Sequence, residues 1–313
     1  MSHFEQLQYP GQYNEHLSAC LWRWNTIYET YMRGKLTHQN DRVIALAGVA
    51  DEIRSLLKTD YLAGLWRCKF EDQLTWMVKD PVHAHRAIPY RAPSWSWLAI
   101  DGEIKASEHT LLSKKIPKVL EVEVELANPD FVTGETKNGT IKANAHLQNL
   151  SWSIGETGEV RFVIGNDQGS NNTSKGKFEL FWDTLPEDTS GTCYLFSVQL
   201  WASAYGNPEL EGLALISTAD NKKTEMCRIG AFKAEGTAVC KILQHKKCQG
   251  MGCKFHTLRV YRNPIPRAHE NLSERYDQIR KKADSEKEEA ERIKGELEES
   301  YAHDLEQRTI TIV

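Results

Sequence analysis

The 313-residue chain is long enough for two domains or for one large one. Its hydrophobic content of 40% and charged content of 26% are ordinary for a globular protein that buries a sizeable core. The net charge of −4 gives no electrostatic reason to expect a nucleic-acid partner, and no apolar run approaches the roughly 18–20 residues of a membrane-spanning helix. Seven scattered cysteines favour reduced thiols, and the polar N-terminus lacks the apolar core of a signal peptide. We therefore expect a cytoplasmic protein without a nucleic-acid or membrane partner.

Three helices are predicted at the N-terminal end of the chain. Apolar residues recur at alternating spacings of four and three over 15–32, which is one face of a helix. Asn40 or Asp41 is expected to cap a second helix, because either side chain accepts from the free N–H groups of a first turn. The apolar face of this second helix runs from Val43 to Leu57. A brief third helix is expected over 71–78.

The stretch Tyr90-Arg91-Ala92-Pro93-Ser94-Trp95-Ser96-Trp97 alternates Ser with Trp after its proline. Alternate side chains of an extended strand share a face, so Trp95 and Trp97 are predicted to lie side by side in a buried strand. Asp101-Gly102 is a hairpin-turn signal, and 103–107 is expected to return as the partner strand. The alternative is an exposed aromatic platform on which Arg91 stacks.

The middle of the chain has the two-residue period of β-strands. Valine and leucine alternate with glutamate over 119–126, which predicts a half-buried antiparallel strand with Leu120, Val122, Val124 and Leu126 inward. Turn-rich segments separate further predicted strands at 140–147, 160–164, 178–182, 194–201, 213–217 and 228–233. Short strands divided in this way predict a β-sandwich or an open barrel.

The C-terminal part combines a charged segment with a short apolar alternation. Residues 269–308 are dense in Glu, Lys and Arg, which predicts a solvated helix that is stabilised by charge pairs and dispensable for folding. The pattern over 309–313 predicts a last strand that returns to the sheet. The expected fold is α+β, with a helical, Trp-rich region (1–110), a β-rich domain (111–266), a charged helical segment (267–308) and the returning strand (309–313).

One cluster has the residue types of a metal site. His245, Cys248, Cys253 and His256 flank a Gly-Met-Gly turn, and zinc accepts two Cys and two His ligands. Only four residues separate the two cysteines, which is not the spacing of a standard zinc finger. The alternative is a glycine hairpin without metal, and we expect no cofactor. Metallohydrolase, nucleophile-elbow, phosphate-loop and dinucleotide motifs do not occur, so no catalytic residue is assigned.

Five segments in order resemble the region that follows the N-terminal domain in fungal heterokaryon-incompatibility (HET-domain) proteins. They are 35–37 with 41–50, then 61–66, 74–76, 90–97 and 101–102. Roughly residues 20 to 102 are covered by this resemblance. The residues that define its structural signature are Asp41, Arg42, Trp66, Tyr90, Arg91, Pro93, Trp95 and Trp97.

The resemblance implies a cytoplasmic protein linked to allorecognition and programmed cell death. The Trp-Thr-x-Gln-Glu type signature of the HET domain itself does not occur, so no active residue is carried over. The expected function is a recognition or scaffolding region that binds a protein partner, such as another HET-domain protein, and is not an enzyme. The alternatives are a truncated gene model of a HET-type nucleotide-hydrolysing enzyme and a nonfunctional remnant.

Overall fold

The computed structural model describes residues 10–34, 41–107, 113–165, 177–202, 208–218, 224–243 and 307–313. Helices lie at the N-terminal end and a mixed sheet of ten strands follows, so the predicted α+β class is confirmed. The helices are α1 (Pro10–Arg33), α2 (Arg42–Leu57) and the short α3 (Thr237–Ile242), which the sequence did not predict.

The apolar faces of α1 and α2 are buried, as their periodicity predicts. Leu17, Leu21, Trp24 and Tyr28 of α1 are buried, and so are five apolar side chains of α2 that recur every three or four residues. The prediction that a side chain caps α2 is wrong. Asp41 occupies the capping position, but its backbone is already helical and its side chain makes no capping hydrogen bond.

Six two-residue strands connect the helices to the large sheet. They are β1 (Tyr61–Leu62), β2 (Leu65–Trp66), β3 (Met77–Val78), β4 (His85–Arg86), β5 (Ile100–Asp101) and β6 (Ile104–Lys105). The predicted hairpin at Asp101-Gly102 is wrong, because β5 pairs with β4 whereas β6 pairs with β3. Two remote partners therefore replace the expected local one.

The predicted helix over 71–78 is also wrong. A single 3-10 turn spans Glu71–Gln73, and Met77–Val78 belongs to β3. The side-chain amide of Gln73 instead connects this turn to the preceding β1–β2 hairpin. Its Nε2 donates to the carbonyl oxygens of Trp66 and Cys68, both at 2.9 Å, and its Oε1 accepts from Trp66 N at 3.0 Å.

The segment with Trp95 and Trp97 is a turn followed by a 3-10 helix (Trp97–Ala99), not the predicted strand. Ser96 decides this conformation. Its N–H donates to Pro93 O at 2.9 Å, and its hydroxyl caps the 3-10 helix by accepting from Leu98 N at 3.0 Å. Both indoles are nevertheless fully buried, so the expected burial is confirmed whereas the exposed-platform alternative is wrong.

The large sheet has ten strands in the order β11-β10-β13-β14-β15-β16-β9-β8, with β7 beside β13 and β12 beside β15. Their bounds are β7 (Lys114–Lys115), β8 (Lys118–Leu126), β9 (Thr136–Ala145), β10 (Leu147–Ile154), β11 (Val160–Ile164), β12 (Lys177–Trp182), β13 (Ser190–Ala202), β14 (Pro208–Ser217), β15 (Glu225–Glu235) and β16 (Arg308–Ile312). Strand β10 was missed, because the predicted strand over 140–147 merges the end of β9 with its start.

The predicted inward face of β8 is wrong at Leu120, because the register of β8 against β9 shifts there. The shift lies between Val119 and Glu121, and Leu120 is 44% exposed while Val122 is buried. A bulge places two consecutive residues opposite one partner, so the alternation of faces is interrupted at that point. Valine and leucine at every second position therefore do not all reach the core.

The sheet is buried on both faces in its centre. On β13, Phe196 and Val198 join the core formed with the N-terminal helices, whereas Leu195 and Leu200 join a second core that α3 covers. On the side of the second core the sheet curls, since Phe162 of β11 contacts Phe178 of β12 with ring centroids 5.2 Å apart. One hydrophobic core thus contains residues from the helical region and from the sheet.

The last strand returns to the sheet, as predicted. β16 lies between β15, to which it is parallel, and β9, to which it is antiparallel. Of the charged segment 267–308, only the last two residues lie within the described residues, so its predicted helix and exposure stay predictions.

We predict that Trp97→Ala lowers the free energy of unfolding by about 3–5 kcal/mol, because it removes a fully buried indole and leaves a cavity. Trp22→Ala is the matched control, since this indole on α1 is 66% exposed and its loss should change stability by less than about 0.5 kcal/mol. Urea denaturation of both variants measures the difference, and equal stabilities would contradict the structural role of Trp97.

Candidate functional site

Two of the segments that carry the family resemblance, 61–66 and 90–97, meet in one buried cluster with α1. Gly64 O accepts from Trp24 Nε1 at 3.0 Å and from Trp97 Nε1 at 2.9 Å. Trp66 packs edge-on against Trp24, with ring centroids 5.4 Å apart, and Tyr28 stacks on Trp97 at 4.6 Å. Aromatic pairs of this kind stabilise a core beyond their buried area.

The hairpin between β1 and β2 positions the shared carbonyl. Ala63 and Gly64 both have positive φ angles, 46° and 95°, as in a tight two-residue hairpin turn. A Cβ at Gly64 would lie 2.9 Å from the Trp97 ring, so only glycine allows this approach. Ser96 Oγ also donates to Ala63 O, which connects the turn to the capped 3-10 helix.

Two arginines of the signature share one buried carboxylate. Arg91 Nη2 lies 2.7 Å from Asp101 Oδ1, and Arg42 Nε lies 3.4 Å from the same oxygen. Arg91 also donates to the carbonyl oxygens of Leu98 at 2.6 Å and Ile100 at 3.1 Å. Burial lowers the pKa of Arg42, and Asp101 opposes this shift. The cluster joins the start of α2 to β5.

The signature residues therefore serve the fold and differ in exposure. Arg42, Trp66, Arg91, Pro93, Trp95 and Trp97 are buried. Asp41 is exposed and Tyr90 is 52% exposed. The four candidate zinc ligands, His245, Cys248, Cys253 and His256, lie outside the described residues. Among the residues that the structure does describe, no group of three or more His, Cys, Asp or Glu side chains could hold a metal ion.

A second buried charge cluster was not predicted. Arg228 on β15 and Asp183, directly after β12, are both fully buried, and Arg228 Nε and Nη2 each donate to one carboxylate oxygen at 3.0 Å. Arg86 Nη2 lies 2.9 Å from Asp183 Oδ2. The Arg228 guanidinium also donates to Leu74 O at 2.7 Å and Trp76 O at 2.5 Å. It lies over the Trp76 ring, 3.4 Å from the centroid.

The electrostatics of this cluster are those of a satisfied ion pair. Burial lowers the pKa of Arg228, while the Asp183 carboxylate counteracts the shift and Arg86 adds to it. An arginine side chain stays charged even under such conditions. The alternation of the sequence did not indicate this cluster, because Cys227, Ile229 and Ala231 form an equally apolar opposite face. In the structure Arg228 takes an inward position of β15, between buried Met226 and Gly230. A charge at an inward strand position needs a buried partner.

A third polar cluster lies beside β13 and β14. Glu211 is almost fully buried; its Oε2 accepts from Thr75 Oγ1 and from Gln199 Nε2, both at 3.0 Å. Its Oε1 lies 2.6 Å from Lys233 Nζ. Lys115 Nζ donates to Gln199 Oε1 at 2.9 Å, which extends the cluster toward the surface.

Lys115 has a strongly lowered pKa. Burial lowers its pKa from the ordinary 10.5 to about 8, against the opposing effect of Glu71 and Glu211. Besides Gln199, its ammonium donates to Ser113 Oγ at 2.6 Å and pairs with Asp72. The three N–H groups thus have three partners, as in a structural contact rather than a free nucleophile.

The chain matches no protein-family model, no curated protein and no solved structure. None of the described helices is both long and apolar enough to cross a bilayer.

We predict that Asp183→Asn destabilises the protein by about 3–5 kcal/mol, because it leaves the Arg228 charge buried without a counter-ion. The matched control is Asp80→Asn, which removes an exposed carboxylate paired with His83 and should change stability far less, because solvent screens an exposed pair. Chemical denaturation measures both. A change in Asp183→Asn as small as in the control would contradict the role of the pair.

We predict a pH-dependent stability term from Lys115. Below about pH 8 its amine is protonated in both the folded and the unfolded chain. Between about pH 8 and 10.5 the folded chain has released a proton that the unfolded chain still binds, so stability rises with pH.

Lys115→Met should abolish this rise. The measurement is the free energy of unfolding at several pH values between about 7 and 10, and the difference between wild type and variant should grow toward the alkaline end. Lys118→Met, at an exposed position of β8, is the control for loss of a lysine charge. A difference between wild type and Lys115→Met that does not change with pH would refute the prediction.

Proposed function

We propose that this chain is a cytoplasmic recognition or scaffolding region that binds another protein and does not catalyse a reaction. The observation that carries the proposal is the burial of the signature cluster. Trp66, Trp95, Trp97, Arg42 and Arg91 are all buried. Trp97 donates to Gly64 O, Arg91 donates to Leu98 O, and both arginines pair with Asp101. Residues that are buried in this way maintain the fold and are not accessible to a substrate. We therefore expect the binding of a partner to involve exposed residues elsewhere on the fold.

An apolar surface on this fold supports a protein partner. Ile44 on α2 is 64% exposed, and Phe131 in the loop between β8 and β9 is 65% exposed. The loop touches α2, where Thr133 Oγ1 donates to Ala47 O at 3.4 Å. Ile44 is one helical turn from Ala47, so we call Ile44, Phe131 and the adjacent Val132 the outer α2 surface. Exposed apolar groups that lie together are typical of protein interaction sites.

The resemblance to HET-domain proteins suggests the class of partner, a full-length HET-domain protein, and the process, allorecognition with programmed cell death. We predict that co-expression of this chain with such a protein changes growth arrest, and that Ile44→Lys with Phe131→Lys removes the effect. A charge at the centre of an apolar interface is left desolvated and unpaired, which weakens binding by on the order of tenfold or more.

The matched control is Val160→Lys on β11, a valine that is 42% exposed on a strand at the far end of the sheet order. This variant should behave as wild type. Loss of the effect in Val160→Lys as well would contradict a specific surface. The absence of any association with, or effect on, HET-domain proteins would instead favour a nonfunctional remnant.

The second candidate function is nucleotide hydrolysis, the alternative that the family resemblance leaves open. Its titrating amine would be Lys115, whose pKa is lowered and which pairs with Asp72, although all three of its N–H groups are bonded in this structure. The test follows the loss of NAD in the presence of pure protein. We expect no turnover above a heat-treated control. Turnover that disappears in Lys115→Met, with folding retained, would replace our proposal by the enzymatic one.

A further inference from the structure

β16 is held in a slot with a strand edge on each side. Along β9 it pairs antiparallel over five residues, from Arg308 opposite Ala145 to Ile312 opposite Ile141. Along β15 it pairs parallel, with Thr311 N donating to Thr224 O at 2.7 Å and Val313 N donating to Met226 O at 2.9 Å. The slot thus supplies backbone partners to both edges of one extended segment.

The slot also selects side chains. Ile310 and Ile312 are buried at 1% and 0% exposure, in the same core as Ala143, Ile141 and Met226. Ile310 lies opposite Ala143, so the small residue leaves room for the branched one. Main-chain hydrogen bonds with pockets for alternate side chains are the recognition mode of domains that bind a peptide as an added strand.

A polar group ends the slot. Ser94, between Pro93 and Trp95, donates to Val313 O through its N–H at 3.2 Å and also through its hydroxyl. The same hydroxyl accepts from Arg228 N at 3.0 Å. These bonds hold Val313 O in place and therefore favour one register of β16 against β9.

The covalent connection to β16 is long enough that the slot of one chain could receive β16 either from the same chain or from a second copy of the chain. Residues 244–306 stand between Leu243 and Gln307, and a fully extended segment of this length covers at most on the order of 200 Å. No short hairpin forces β16 against β9 or β15, since neither neighbour adjoins it in sequence. Every copy of the chain carries the same strand and the same slot, and exchange of identical elements is a low-cost route to a dimer.

We propose that the slot between β9 and β15 is a binding site for an extended peptide with β-branched apolar residues at alternate positions. Besides the chain's own β16, it binds the 307–313 strand of another copy of this chain. Two copies that exchange β16 form a closed dimer joined through their sheets. This site does not involve the outer α2 surface, so the inference stands or falls independently of the proposed function.

Thr309 and Asn144 provide a direct test with full-length protein. They are opposite each other in the β16–β9 register, and Thr309 Oγ1 donates to Asn144 Oδ1 at 2.9 Å. The N–H groups of Thr311 and Val313 face β15, so Thr309 and Asn144 form a non-hydrogen-bonded pair of β9 and β16, in which Cβ atoms lie roughly 4.5–5.5 Å apart. Cysteines at such a pair are near the geometry of a disulfide.

The experiment mixes two single variants, Asn144→Cys and Thr309→Cys, under oxidising conditions and maps disulfides by mass spectrometry. Each chain has only one of the two new cysteines, so a disulfide between positions 144 and 309 joins two copies. The control replaces Asn144→Cys by Glu123→Cys, at an exposed position of β8. We expect the 144–309 link to exceed the 123–309 link by on the order of tenfold, because only the first pair is in register.

Equal yields of the two links overturn the proposal, because collision alone would then explain them. The double variant Asn144→Cys/Thr309→Cys must form the link, and its failure to do so overturns the register on which the proposal is built. An excess of free peptide with the sequence of 307–313 should suppress the 144–309 link, whereas the same peptide with Ile310→Lys and Ile312→Lys should not. Equal suppression by both peptides would refute a sequence-selective site.

Discussion

A single buried guanidinium, that of Arg228, holds the parts of this protein together. It pairs with Asp183, donates to the carbonyl oxygens of Leu74 and Trp76, and lies over the Trp76 indole. Strand β15, the end of β12 and the segment before β3 therefore depend on one side chain. Arg86 extends the cluster, because it pairs with the same carboxylate and donates to Arg228 O. Replacing one member of such a cluster leaves other charges without partners.

A buried ion pair between two parts of a fold restricts their relative orientation more than apolar contacts do. Hydrophobic contacts are non-directional, and many arrangements of a helical region on a sheet would bury similar area. A guanidinium with a fixed fork of donors is satisfied in few arrangements. We infer that Arg228 selects one orientation of the N-terminal segments on the sheet and that the Arg42–Asp101–Arg91 cluster selects the position of α2 on β5, whereas the tryptophans contribute buried apolar surface.

The residues that stabilise the core differ from those that are exposed to a partner. The residues that look most distinctive in the sequence, the tryptophans between 66 and 97 with Arg42 and Arg91, are buried in the core, where Trp97 donates to Gly64 O and Arg91 to Leu98 O. What the fold presents to a partner is less distinctive: exposed Ile44 and Phe131, and a sheet whose continuity depends on β16. Among the described strands, β16 is the one through which the β8–β9 hairpin joins the rest of the sheet.

The sequence by itself determined the elements whose signal is periodic: the buried faces of α1 and α2, most strands of the sheet, and the return of β16. It also indicated that Trp95 and Trp97 are buried. Tertiary contacts alone decided that Ser96 caps a 3-10 turn, because alternating Ser and Trp fit either a strand or this turn until Gly64 O and Ala63 O are in place. The same holds for Arg228 and Asp183, which are 45 residues apart. Periodicity reports which face of an element is buried, but which charges meet there depends on how distant elements pack.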